Sequence, residues 1–480
     1  MSAAYEAVIG LEVHVQLATR TKLFCGDLTE FGAPPNTHVC PVCLGLPGSL
    51  PVINAAAVRL ALRASAGFEC TIHPVSVFAR KNYFYPDLPK GYQITQFERP
   101  IGTGGRVVSP DGEGGERAVR LRRIHMEEDA GKLIHDRVPG ATAVDLNRAG
   151  TPLIEIVTEP DIVSPAHARA FLTRLKQTLA WLEVSDCDME KGSLRVDANI
   201  SIRRRVDAEL GTKTELKNMN SFSNVERALT FEIERQTGLL GEGGSVTHQT
   251  LLWDTGRNQV RPMRSKEESH DYRYFPEPDL PPLVIDTATI AEATASLPEL
   301  PAAREARFRE QYGLPAYDAG VLTAARELSD YYEDVVGVGL DAKAVSNWVM
   351  TDVLGWLNEK QVAIGAFPIA ASRLAELIEL TGNDTLSSSL ARRVFARMIE
   401  TGERPATIVD QEGLSQVRDT DLLRAWVEAV VTEHPAEADR YRAGDPKLLA
   451  FFMGQIMKRS AGKADPRQAT RLLRERLAAD

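Results

Sequence analysis

Three stretches of this 480-residue chain carry carboxylates, two of them beside histidine. They are Glu12 and His14 in VIGLEVHVQL, His125 to Gly131 in HMEEDAG, and Thr151 to Asp161 in TPLIEIVTEPD. Magnesium takes oxygen ligands and keeps several waters, so one or two carboxylates plus substrate phosphate oxygens suffice for a site. Glu12, His14 and the acidic residues of the other two stretches are the candidates, provided three separate strands converge. The same pattern also describes the solvated edges of a sheet. Glu155 argues for the site, because between Ile154 and Ile156 an unpaired carboxylate is costly and calls for a cation or a hydrogen-bond partner.

Cys25, Cys40 and Cys43 form a second group, in which CPVC is a knuckle of the kind that holds zinc. A structural zinc site wants four ligands, and Asp27 and His38 are the candidates for the fourth. The alternative is a few reduced thiols in a turn. Cys70 and Cys187 read as packing residues. In RKNYFYPDLPKGYQITQ, Arg80, Lys81 and Lys90 are interleaved with Tyr83, Phe84, Tyr85 and Tyr92, which suits either a phosphate-bearing or stacking ligand or an amphipathic hairpin. KGSLRVDANISIR and GTKTELKNMNSF place short polar side chains on strands, as a nucleotide pocket or an exposed sheet face would. GxxxxGK[ST], HExxH, GxSxG and the serine-rich glycine loop of an amidase are absent from the sequence, so neither a P-loop ATPase nor a serine hydrolase is indicated.

The elements that position these groups follow from periodicity. Leu11, Val13, Val15 and Leu17 alternate with Glu12, His14 and Gln16, and Val196, Ala198, Ile200 and Ile202 alternate with Asp197, Asn199 and Ser201. One face of each strand packs and the other is free for chemistry. The first 270 or so residues read as strand-rich. Six prolines between Pro276 and Pro301 stiffen a linker, and beyond it stripes such as Leu328, Tyr331, Tyr332 and Val335 are helical. Asp445-Pro446 and Asp465-Pro466 each read as an N-cap followed by proline at the first helical position, with Gly462 between two helices. The expected organisation is a domain over 1–293, a helical domain over 294–406 and a small helical tail over 407–480.

At roughly 150 residues per domain the length allows about three hydrophobic cores. An apolar fraction of 43% is ordinary for globular chains, and no apolar run approaches the roughly 18 residues of a spanning helix. The N-terminus lacks the features of a secretory signal, so a reducing cytoplasmic location without disulfides is expected. The net charge of -10 conceals an asymmetry: from Arg440 onward ten Lys or Arg face four Asp or Glu. Any polyanion is therefore expected to meet the C-terminal end, with Lys458, Arg459, Lys463, Arg467, Arg471 and Arg474 as its contacts.

Taken in order, IGLEVHVQL, CPVCLGLPGSLP, RKNYFYPDLPKGYQI, HMEEDAGK, DLNRAGTPLIEIVTEPD, GSLRVDANIS, ELKNMNSF and DYRYFPEPDLPPL closely resemble the B subunit of the bacterial aspartyl/glutamyl-tRNA amidotransferase, from about residue 5 to residue 478. The resemblance implies an α+β fold: a cradle-like catalytic domain on antiparallel sheet, an all-α helical domain and a mobile helical tail. It implies a heterotrimer in which this chain uses ATP and magnesium to phosphorylate the side-chain carboxylate of misacylated Glu-tRNA(Gln) or Asp-tRNA(Asn). Ammonia would come from a glutamine-hydrolysing A subunit, with a small C subunit completing the complex. By residue match the phosphoryl-transfer site is Glu12, His14, Glu128 and Glu155 with Glu127 adjacent, magnesium being held by His14, Glu128 and Glu155. Lys81 and Lys90 lie at the pocket or tunnel mouth, and Ser193, Arg195, Asp197 and Asn199 are assigned to the nucleotide. Many members carry CxC before CxxC, whereas Asp27 stands here at the second cysteine, so zinc on Cys25, Asp27, Cys40 and Cys43 is the weaker expectation. The alternatives are a noncatalytic tRNA-binding scaffold and the archaeal Gln-specific subunit, whose extra inserted domain this chain lacks.

Overall fold

The computed structural model describes residues 5–263, 272–417 and 419–478; Asp271, which opens the DYRYFPEPDLPPL motif, lies outside them. The chain divides into two compact units, Met1–Pro301 and Ala302–Asp480.

The first unit is organised by the strand Tyr5–Gln16. Ala7, Ile9, Leu11, Val13 and Val15 are buried, and Glu6, Val8, Gly10, Glu12, His14 and Gln16 between them are half-exposed. This strand lies at the middle of a large sheet. On one side it pairs antiparallel with Leu194–Arg204, followed by Thr214–Lys217, Thr250–Asp254 and Gln259–Pro262. On the other side it pairs antiparallel with Pro152–Thr158, followed by Glu116–Glu128, Tyr92–Gln96, Phe78–Asn82 and Phe275–Pro276.

The resemblance implied antiparallel sheet, and one pair departs from it: Thr214–Lys217 runs parallel to Thr250–Asp254. A parallel pair needs a crossover, and the helix Phe222–Gly241 supplies it. Two further helices, Ala55–Gly67 and Pro165–Trp181, interrupt the strand-rich expectation for this region. Their starts are chemically marked. Asn54, Ser164 and Ser221 are N-caps whose side chains accept from the N–H groups of Ala56, His167 and Asn224.

Helix residues Phe171, Leu175, Ala228 and Leu229 are fully buried with Ile9, Ile154, Ile156 and Ile200 of the strands in one core. Each buried leucine or isoleucine contributes roughly 1.5–3 kcal/mol, and slipping a strand by one residue would turn that set to solvent. Burial of one face therefore fixes the register that aligns the polar residues on the other. The proline-rich stretch is not a free linker. Phe275 and Val284 pair back with Arg80 and Val75, and Ile290, Ala293 and Leu297 of the helix Thr287–Ala295 region pack on the same core.

The second unit is helical. The stripe read from sequence lies on the helix Arg326–Val336, with Leu328, Tyr332 and Val335 buried. One cluster gathers residues from Phe308 to Leu414 and another gathers Leu423 to Leu477. Asp465 caps Pro466–Ala478, accepting from the N–H groups of Arg467 and Gln468 at 2.9 Å. Asp445 does not cap: the next helix starts at Leu448, and the Asp445 carboxylate is drawn to Arg440 at 3.0 Å instead. Among the described residues no helix is long and apolar enough to cross a membrane.

Candidate phosphoryl-transfer site

Register brings the acidic stretches together on the open face of the sheet. His14 is level with Glu155 on one neighbouring strand and Arg195 on the other, and Glu155 is level with His125. His14 Nε2 lies 3.5 Å from Glu127 Oε1 and 3.7 Å from Glu155 Oε2. His125 Nε2 lies 3.1 Å from Glu155 Oε2, and Thr95 Oγ1 donates to Glu127 Oε2 at 3.3 Å. One ligand atom from each of His14, Glu127 and Glu155 falls within 4.8 Å of the others. Glu155 is thus largely buried and has partners, as its apolar flanks required.

Burial works to raise the Glu155 carboxyl, but His125, His14 and Lys81 outweigh it and hold it well below the usual range. Lys81 lies 4.7 Å from the Tyr272 ring centroid. Burial opposes its charge, while Glu127 and Glu155 overcome that and raise its pKa.

Glu128, expected among the cation ligands, is outside this group. Alternation along Glu116–Glu128 turns Glu127 toward His14 and Glu128 the other way, where its Oε1 accepts from the Ile94 N–H at 2.9 Å and from the Lys90 ammonium. Lys90 therefore belongs with Glu128, and Lys81 with Glu127 and Glu155.

A second polar group continues along the face. Glu12 Oε1 accepts from Asn199 Nδ2 at 3.0 Å, and the Glu12 carboxyl is raised by burial and by Glu155, Glu215 and Asp197. Lys217 Nζ bridges Asp197 at 2.7 Å and Glu215 at 3.0 Å. Arg195 Nη2 is 2.8 Å from Asp129, a buried carboxylate that also accepts from Gln16 at 3.0 Å. Burial would raise Asp129, and Arg195 and Arg148 hold it below its ordinary value. Ser193 is separate, its Oγ tied into the local turn by the Asp188 carbonyl at 3.0 Å. The sequence reading missed His125, Asp129, Glu215 and Lys217 as site residues. Period-two parity within HMEED and TELK was the available signal. Arg80 is taken up by Glu277 at 2.7 Å.

Cys25, Asp27, Cys40 and Cys43 form a second group whose ligand atoms lie within 4.8 Å of one another; His38 is not part of it. Cys43 Sγ is 3.6 Å from Cys25 Sγ, 3.8 Å from Cys40 Sγ and 3.1 Å from Asp27 Oδ2. A Zn–S bond of about 2.3 Å in a tetrahedron requires sulfurs about 3.7 Å apart, so the donor set fits zinc. Hydrogen bonding from Cys25, aided by Lys22, whose Nζ lies 3.3 Å away, lowers the Cys43 thiol to about 6 against the effect of burial. Cys187 is buried and Cys70 partly so.

In the helical tail, Arg459 is paired with Glu433 at 2.7 Å and Arg471 with Glu475 at 2.9 Å. Lys458, Arg467 and Arg474 are exposed and Lys463 half-exposed; these four take no ion pair among the described residues.

The donor atoms of His14, Glu127 and Glu155 lie close enough together to share one small cation on the polar face of the sheet, with Lys81 beside them. The profile of the GatB/GatE catalytic domain matches residues 7–291 and that of the GatB domain matches residues 330–477. The chain is 51% identical over 474 residues to the B subunit of the aspartyl/glutamyl-tRNA(Asn/Gln) amidotransferase of Prosthecochloris aestuarii, covering 99% of this chain and 98% of that one. It is also 51% identical over 476 residues to the corresponding chain of Moorella thermoacetica, covering 98% and 100%, and 48% identical over 474 residues to that of Persephonella marina, covering 98% and 99%. The chain belongs to the family of aspartyl/glutamyl-tRNA(Asn/Gln) amidotransferase B subunits.

Proposed function

We propose that this chain is the phosphorylating and amide-forming component of a tRNA-dependent amidotransferase acting on Glu-tRNA(Gln), Asp-tRNA(Asn) or both, within a cytoplasmic heterotrimer. The observation that carries this is the convergence of His14, Glu127 and Glu155, with Lys81 close by, in a chain whose relatives bear that name over nearly their full length. A carboxylate is a poor acylating agent. Its oxygen attacks the γ-phosphorus of ATP and ADP departs; ammonia then attacks the acyl carbon, phosphate leaves, and the nitrogen loses a proton.

His14, Glu127 and Glu155 would hold magnesium, two carboxylates and an imidazole being a donor set that small divalent cations accept. When bound, it supplies positive charge to the phosphate oxygens. Lys81, kept protonated by the same carboxylates, adds charge on that side. Arg195, Asp197, Asn199 and Glu12 lie along the open face as nucleotide contacts, with Ser193 shaping the turn behind them. Lys90 and Glu128 serve the amide-forming half-reaction, with ammonia supplied by a glutaminase A subunit and a small C subunit completing the assembly. Zinc on Cys25, Asp27, Cys40 and Cys43 is structural. The exposed cations of the tail take the tRNA body. Incubating the complex with each misacylated tRNA, ATP and glutamine, then identifying the amino acid released from the product, tests the proposal. Glutamine or asparagine formed only with ATP is expected; amide formation independent of ATP overturns it.

A further inference from the structure

The cysteine knuckle touches the Lys90–Glu128 pair through a single glycine. The turn Pro41–Leu44 ends at Gly45, whose φ of +62° is left-handed and whose N–H is directed to the carbonyls of Pro41 and Val42. A Cβ placed there would lie 2.5 Å from Lys90 Cγ, 3.2 Å from Lys90 Cβ and 3.4 Å from Lys90 Cα. These are the root of the lysine, not its flexible end, so the neighbour has no cheap way to give. The ammonium of that lysine is bound to Glu128, which also accepts from the Ile94 N–H at 2.9 Å.

A second contact runs in parallel. Lys22 is fully buried, and its Nζ donates to the His38 carbonyl at 2.6 Å and to Cys43 Sγ at 3.3 Å. A Cβ on Gly150 would meet Lys22 Cδ at 3.4 Å and Glu128 Oε2 at 4.0 Å. Lys22, bound to the cysteine group, and Glu128 thus both approach Gly150.

We propose that Gly45 is a positioning residue: the cysteine knuckle fixes where Lys90 stands against Glu128, so the geometry of the thiol group is transmitted to the amide-forming side of the site. The functional consequence rests on the assignment of Lys90 to that half-reaction; the mechanical link does not. Well-packed interiors pass on such displacements because no void absorbs them.

The test is a double-mutant cycle in the full chain within its complex, with Gly45→Ala, Lys90→Ala and both together. Gly48→Ala is the control, since Gly48 is also left-handed at +84° but has nothing within 4 Å. The direct readout is hydrogen exchange at the Ile94 amide, which reports on the Glu128 carboxylate whatever the enzyme catalyses. Gly45→Ala is expected to speed that exchange about tenfold or more and Gly48→Ala to leave it unchanged, a coupling within the usual range for contacting residues. The part of the Gly45→Ala effect that exceeds that of Gly48→Ala should shrink in the Lys90→Ala background, where the Cγ at 2.5 Å is gone while Cβ and Cα remain. If Gly45→Ala does not fold, adding Lys90→Ala should recover part of the lost stability.

Equal exchange in the Gly45 and Gly48 variants overturns the proposal, and so does a Gly45→Ala folding defect that Lys90→Ala leaves untouched. Ammonia-dependent amide formation is measured alongside. Faster Ile94 exchange with unaltered amide formation upholds the link and counts against the assigned role of Lys90, which separates the two failures.

Discussion

Glu127 and Glu128 are consecutive in the chain and serve opposite sides of one strand: Glu127 Oε1 stands 3.5 Å from His14 Nε2, while Glu128 Oε1 takes the Ile94 N–H and the Lys90 ammonium. Gln substitutions should therefore separate the half-reactions. Glu127→Gln is expected to lower tRNA-dependent ATP cleavage about a hundredfold or more, the scale of a lost electrostatic stabiliser. Glu128→Gln is expected to lower amide formation while retaining most ATP cleavage. Steady-state measurement of ADP release and of amide product on both variants decides it; equal loss of ADP release in both would contradict the division.

Zinc should be found at about one per chain in protein prepared without chelator, because the sulfur separations already match a tetrahedral site. Asp27→Cys replaces a carboxylate by a thiolate and should slow metal release to a chelator. Elemental analysis below about 0.1 zinc per chain would remove the metal from the account.

Loss of the tail should raise the KM for tRNA and flatten its salt dependence, since phosphate contacts release counterions. The structure decides where to cut. Ile408, Val409 and Leu414 are buried in the preceding helical cluster, so deletion from 407 would open that core, whereas deletion of 419–480 spares it. Unchanged tRNA affinity across a salt series in the shorter deletion would refute the tail's role.

Glu333 should make stability depend on acid. Burial would raise its carboxyl, but Arg307 at 2.6 Å, Tyr312 at 2.8 Å and Arg304 lower it from the ordinary 4.5 to about 2. A carboxyl whose folded value is depressed contributes stability that is fully present above its unfolded value and lost as pH falls toward the folded one. The window is therefore from about 4.5 down to about 2. The difference in Tm between wild type and Glu333→Gln should be constant above that window and shrink within it; a difference that does not change with pH would contradict the assignment.

Much of the site was legible from parity. VIGLEVHVQL and VDANISIR alternate as the strands do, and the apolar flanks of Glu155 foretold that it has partners, the buried His125 and the half-exposed His14. Parity within one strand does not say which neighbour each residue meets. That Glu127 faces His14 and Glu128 faces Lys90 depends on register between strands far apart in sequence, which core packing sets. The same holds for Asp129 with Arg195 and for Lys81 with Tyr272. Charge counting overstated the tail for a related reason: Glu433 from a neighbouring helix takes Arg459, and Glu428 takes Arg476. Asp445 had the spacing of a cap but found Arg440 nearer.

The proposed role of His14, Glu127 and Glu155 is to hold the divalent cation together. Manganese binding to the full chain, followed by electron paramagnetic resonance with the metal alone as probe, addresses it without requiring turnover. The account expects one site that Glu127→Gln and Glu155→Gln each weaken about tenfold or more, and that Glu128→Gln leaves nearly unchanged. Manganese affinity lost in Glu128→Gln and kept in Glu127→Gln and Glu155→Gln would contradict it.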